Sequence, residues 1–105
     1  MTDQELLKLA AKAAGHDEIR ICVDELFWVI TDDFNLRPWN PLLDDGDALR
    51  LAVKLEIDLF HEDDLIITDI FSEEPLQRSE YKGGDPCAAT RRVIVKAAAR
   101  IGEQM

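Results

Sequence analysis

Apolar positions recur along this chain first at helical spacing, then at alternate residues, and then in the same succession again. In TDQELLKLAAKAAG, residues 2–15, Leu6, Leu7, Ala10, Ala13 and Ala14 share one helical face. Thr2 precedes Glu5 at the spacing of a capping box, and Gly15 stands where a left-handed residue closes a helix. In IRICV, residues 19–23, Ile19, Ile21 and Val23 alternate with Arg20 and Cys22, whereas LFWVI, residues 26–30, is apolar on both faces. The pair predicts a β-hairpin turning near Asp24 and Glu25, its second strand buried on both sides.

Residues 31–43 carry two prolines with several Asp and Asn and predict a loop. The helix that follows, DALRLAVKL, is apolar except for Arg50 and Lys54, so it is expected to be covered on most sides. EIDLF then alternates Glu56 and Asp58 outward with Ile57 and Leu59 inward, and LIITDIF, residues 65–71, is again apolar on both faces. Residues 72–84 are polar and predict a mobile loop, before Asp85 and Pro86 open a last helix to about Ile101. The order is α-ββ-α-ββ-α. Two hairpins whose second strands need cover on both faces, with three helices to supply it, predict an α+β fold. Its expected form is a single three-layer α/β/α sandwich over residues 1–105, around a small, largely antiparallel sheet.

A chain of 105 residues with 47% hydrophobic and 32% charged side chains can bury a core without staples. The formal charge of −10 repels a phosphate backbone and an anionic membrane, so direct nucleic-acid binding is disfavoured. No apolar run reaches the length of a membrane span and no leader follows Met1, which predicts a soluble cytoplasmic protein. Cys22 and Cys87 do not form a disulfide framework and are expected to be buried or half-buried thiols.

Asp44, Asp45 and Asp47 around Gly46 raise the question of a metal or phosphate loop. A calcium loop needs oxygen ligands at alternate positions and a closing Glu, but the sequence turns apolar directly after Asp47. A phosphate loop needs several glycines and a Lys. Helix capping accounts for all three aspartates, which lie beside free N–H groups at the positive end of a helix dipole. His61 with Glu62, Asp63 and Asp64 reads as a solvated hairpin tip, because sequence neighbours point in different directions. A metal site there would need the fold to bring His16 across, and neither cysteine nor any serine sits in a nucleophile motif. No cofactor, metal or small-molecule substrate is expected. Trp28 and Trp39 are expected to be core or loop anchors.

Charge is segregated. Between Lys54 and Arg78 lie eight acidic residues and no Lys or Arg, while Arg92, Lys96 and Arg100 form one stripe on the last helix. That stripe is a solvated helix face or a docking surface for an acidic partner, another copy included.

WNPLLDDGDALRLAVKL, residues 39–55, with its Trp39-Asn40-Pro41 turn and aspartate cap, together with ATRRVIVKAAARIG, residues 89–102, resembles small phage and prophage proteins grouped as the phage ABA sandwich domain. The resemblance covers about a third of the chain and implies an α/β/α sandwich, and the family has no assigned reaction to carry over. The expected function is that of a phage or prophage accessory protein of the bacterial cytoplasm: a small, non-catalytic protein-interaction module. Two alternatives stand beside it: an acidic mimic of nucleic acid formed by residues 56–74, and a metal-dependent hydrolase using His61.

Overall fold

Thr2 caps the first helix, α1 (Asp3–Ala14), and does so reciprocally. Its hydroxyl accepts from the Glu5 N–H at 3.2 Å, and the Glu5 carboxylate accepts from the Thr2 N–H at 3.1 Å. Gly15 ends the helix at φ +76°, a left-handed conformation that a side chain would disfavour. The computed structural model describes residues 2–19, 28–30, 36–61, 65–70, 76–81 and 84–105.

After Gly15 the chain enters a three-stranded antiparallel meander of β1 (Asp17–Ile19), β2 (Trp28–Ile30) and β3 (Leu36–Pro38). Ile19 stands opposite Trp28, and Trp28 opposite Pro38. The turn expected at Asp24 and Glu25 lies outside the described residues. β3 falls in the segment read from sequence as a loop. It is an edge strand, and an edge tolerates a proline that cannot donate to the ladder.

Asp44 caps α2 (Asp45–Leu55), its carboxylate accepting from the Asp47 N–H at 2.8 Å. Glu56 closes that helix at φ 54°. A second antiparallel meander follows at once: β4 (Ile57–His61), β5 (Leu65–Ile70) and β6 (Leu76–Tyr81), with Ile57 opposite Ile70 and Leu65 opposite Tyr81. β6 also lies in a stretch expected to be a loop. LQRSEY has no period-two apolar pattern to mark it as a strand, and it pairs with β5 along its whole length. The last helix, α3 (Pro86–Glu103), is capped by Asp85, which accepts from the Ala88 N–H at 3.0 Å.

The three-layer α/β/α sandwich around one sheet does not form. The described strands divide into two separate sheets, the order is α-βββ-α-βββ-α, and the helices pack chiefly on one another. Small side chains make this possible. Ala10, Ala11 and Ala14 of α1 and Ala97, Ala98 and Ala99 of α3 belong to one buried cluster, and Gly102 of α3 comes against the backbone of Leu9. An element able to bury its apolar stripe against another helix has no need of a sheet beneath it. The amino-terminal half of α3 packs on the second sheet, with Ala89 and Val93 clustered on Ile66 of β5.

The element order contains one unit twice, a helix followed by a three-stranded meander. The sequence repeats with it. LKLAAK, residues 7–12 in α1, corresponds to LRLAVK, residues 49–54 in α2, and VITDDF, residues 29–34, to IITDIF, residues 66–71. Val29 and Ile30 lie on β2 and Ile66 and Ile67 on β5, each the middle strand of its sheet. The halves differ in cover. Leu7 and Ala11 are 5% and 1% exposed, whereas their counterparts Leu49 and Val53 are 63% and 70% exposed.

Candidate functional site

The aspartate-rich turn ahead of α2 is the densest polar constellation among the described residues, and each of its groups has a structural partner. Asn40 organises the turn. Its carbonyl accepts from the N–H groups of Leu43 at 3.1 Å and Asp44 at 2.8 Å, its side-chain oxygen accepts from the Leu42 N–H at 3.0 Å, and its own N–H donates to Asp47 at 3.0 Å. Trp39 and Pro41 on either side are buried. The ring of His16 stands edge-on to Trp39, 5.5 Å between centroids, which ties the end of α1 to this turn.

Asp47 is 6% exposed and accepts from both the Asn40 N–H and the Arg50 guanidinium, the latter at 2.7 Å. Arg50 reaches Asp44 at 3.9 Å as well. A Cβ on Gly46 would come within 3.2 Å of both Arg50 and Asp44, so a small residue suits the crossing of these side chains. Capping and ion pairing therefore account for Asp44 and Asp47. Asp45 is engaged differently: it accepts from Arg91 of α3 at 2.6 Å, while the Arg91 Nε donates to the Leu42 carbonyl at 2.9 Å. The hydrogen bond that Arg91 donates to Asp45, with that opposite charge beside it, raises the Arg91 pKa above its ordinary value. Arg91 thus fastens the turn to α3, a role with no signal in the local sequence.

Adjacent arginines serve the two halves alike. Arg92 donates to Asp3 of α1 at 3.2 Å, as Arg91 does to Asp45 of α2. Arg92 is one member of the basic stripe read from sequence. Arg100, another, donates to Glu103 at 3.0 Å, and Lys96 is also engaged. The stripe is half-buried beside α1 and partly neutralised within the chain.

His61 is exposed, and Glu62, Asp63 and Asp64 lie outside the described residues. Among the described residues no group of three His, Cys, Asp or Glu side chains could hold a metal ion. Cys87 is an exposed free thiol at the start of α3, not the buried one expected, because α3 begins at Pro86 and only later residues reach the core. Cys22 lies outside the described residues. No helix among them is long and apolar enough to cross a membrane.

The surface that sequence reasoning missed is apolar. α2 was expected to be covered on most sides, yet it buries only the face carrying Asp47, Ala48, Leu51 and Ala52. Leu49 and Val53 project from the opposite side, and Leu43 in the preceding turn is exposed too. Comparison of the chain with protein-family models, with curated proteins and with solved structures found no match.

Proposed function

We propose that this chain is a small, non-catalytic protein-interaction module of the accessory kind carried by phage and prophage genomes, working in the cytoplasm of the bacterial host. The observation that carries this reading is the uncovered ridge of Leu49 and Val53 on α2. Large apolar side chains left in water four residues apart on one helix mark a contact surface more directly than scattered ones do. The engagement of Asp44, Asp45, Asp47, Arg50, Arg91 and Arg92 in caps and ion pairs supports the same reading. Arg91 and Arg92 tie α3 to α2 and α1, while Asp44, Asp47 and Arg50 fix the start of α2.

Capture by the immobilised chain from bacterial lysate supplemented with untagged chain tests it, with the eluate identified by mass spectrometry. At least one protein, a host protein or the untagged copy, should be retained by the wild type and lost with Leu49→Asp/Val53→Asp. Both positions are exposed, so the double variant should keep its far-ultraviolet spectrum. The Arg92, Lys96, Arg100 triple-Ala variant reports on the basic stripe in parallel. Identical eluates from wild type and the α2 variant would overturn the reading.

A further inference from the structure

The repeated unit shows that the face equivalent to the α2 ridge can be buried. Leu7 and Ala11, the counterparts of Leu49 and Val53 in α1, are buried in the core cluster to which α1, α2 and α3 all contribute, so in the first half this face is covered. In the second half the same face is exposed at Leu49 and Val53.

The charges beside the ridge limit which helix can be accepted. At about 100° per residue, Asp45 falls on one flank of Leu49 and Val53, and Arg50 and Lys54 fall on the other. Leu49 and Val53 take the two apolar positions of a helix-pair seam. Asp45 and Arg50 take the flanking positions whose side chains meet across it when two helices run in parallel. In an antiparallel pair like flanks would adjoin, acid against acid and base against base. Asp45 and Arg50 already bond Arg91 and Asp47, but their side chains remain 75% and 59% exposed. A carboxylate accepts several hydrogen bonds and a guanidinium donates five, so each can bridge outward as well.

We propose that the α2 ridge pairs two copies of this chain, α2 beside α2 in parallel about a two-fold axis. Leu49 and Val53 each meet their own counterpart, and Asp45 of each copy faces Arg50 of the other. This pairing rests on the interaction reading above and names the partner as a second copy. The isologous arrangement covers both exposed ridges in one contact. The contact is small, in the range of transient rather than obligate interfaces, and the mutual repulsion of two chains of charge −10 weakens it further.

Sedimentation equilibrium of the isolated chain at sub-millimolar concentration should show reversible dimerisation. Leu49→Asp/Val53→Asp should raise the dimer Kd by at least roughly tenfold, since each buried aliphatic side chain is worth about that factor or more. Orientation is read by oxidative crosslinking in a Cys22→Ser/Cys87→Ser background. Leu49→Cys and Val53→Cys should each form a disulfide with themselves at least several times faster than exposed Gln4→Cys. A wild-type chain that stays monomeric throughout this range would overturn the pairing. So would crosslinks that form only between Leu49→Cys and Val53→Cys in a mixture, the antiparallel signature. A monomeric chain that still captures a host protein through Leu49 and Val53 would leave the interaction reading standing and remove only the second copy.

Discussion

A Cβ placed on Gly102 of α3 would fall on the carbonyl oxygen of Leu9 and lie 2.8 Å from its carbonyl carbon in α1. Neither group can swing aside, because both belong to helical backbone. Gly102→Ala should therefore force the helices apart and destabilise the protein by about 2–3 kcal/mol, although alanine is the better helix former. Gly15 is the contrasting case. A Cβ there would meet nothing within 4 Å, but φ is +76°, so Gly15→Ala should cost about 1–2 kcal/mol from backbone conformation alone. Urea unfolding of both variants checks the order. A Gly102→Ala protein as stable as the wild type would mean that α1 and α3 do not approach this closely.

Arg91 and Arg92 are neighbours with unequal duties. The Arg91 side chain is 16% exposed and its Nε satisfies the Leu42 carbonyl, so Arg91→Ala leaves a half-buried acceptor without its partner and detaches the turn from α3. Arg92 and Asp3 are 38% and 63% exposed, and a pair so open to water contributes little. The drop in urea midpoint caused by Arg91→Ala should be at least roughly twice that caused by Arg92→Ala. Raised salt should remove what effect Arg92→Ala has while leaving most of that of Arg91→Ala. Equal shifts would show that the hydrogen bond to Leu42 contributes nothing.

Helix ends were legible in the sequence because they are local. Thr2 with Glu5, Asp44 of the two aspartates before Gly46, and Asp85 before Pro86 each bond three residues along the chain, and Gly15 closes α1 where the pattern placed it. β3 and β6 were not legible. Both are edge strands too short or too polar in sequence for a clear period-two pattern, and each is defined by its pairing with the middle strand, β2 or β5. The packing misled for a related reason. Periodicity shows that a face is apolar without showing what covers it, and the strands read as buried on both faces predict one sheet where the described strands form two. The aspartate cap was read as capping. The tie from Asp45 to Arg91 crosses from one helix to another, and no spacing rule connects such positions.

Asp47 carries the last prediction, because it is the one buried charged side chain among the described residues. One carboxylate oxygen accepts from the Asn40 N–H at 3.0 Å and the other from Arg50 at 2.7 Å, so the residue joins the Trp39-Asn40-Pro41 turn to the first turn of α2. Asp47→Ala strands a part-buried N–H and should cost about 2–3 kcal/mol. Asp44→Ala removes the capping bond and a long, exposed ion pair to Arg50 that contributes little, and should cost about 1 kcal/mol. Asp47→Asn separates the two roles. Its amide oxygen can still accept from Asn40 while its amide nitrogen faces Arg50 without charge, so it should recover part of the loss but not all of it. If Asp47→Ala and Asp44→Ala prove equal by urea unfolding, Asp47 is only another first-turn acid and the turn holds itself. If Asp47→Asn is as damaging as Asp47→Ala, the ion pair with Arg50 rather than the bond to Asn40 fixes the entry to α2.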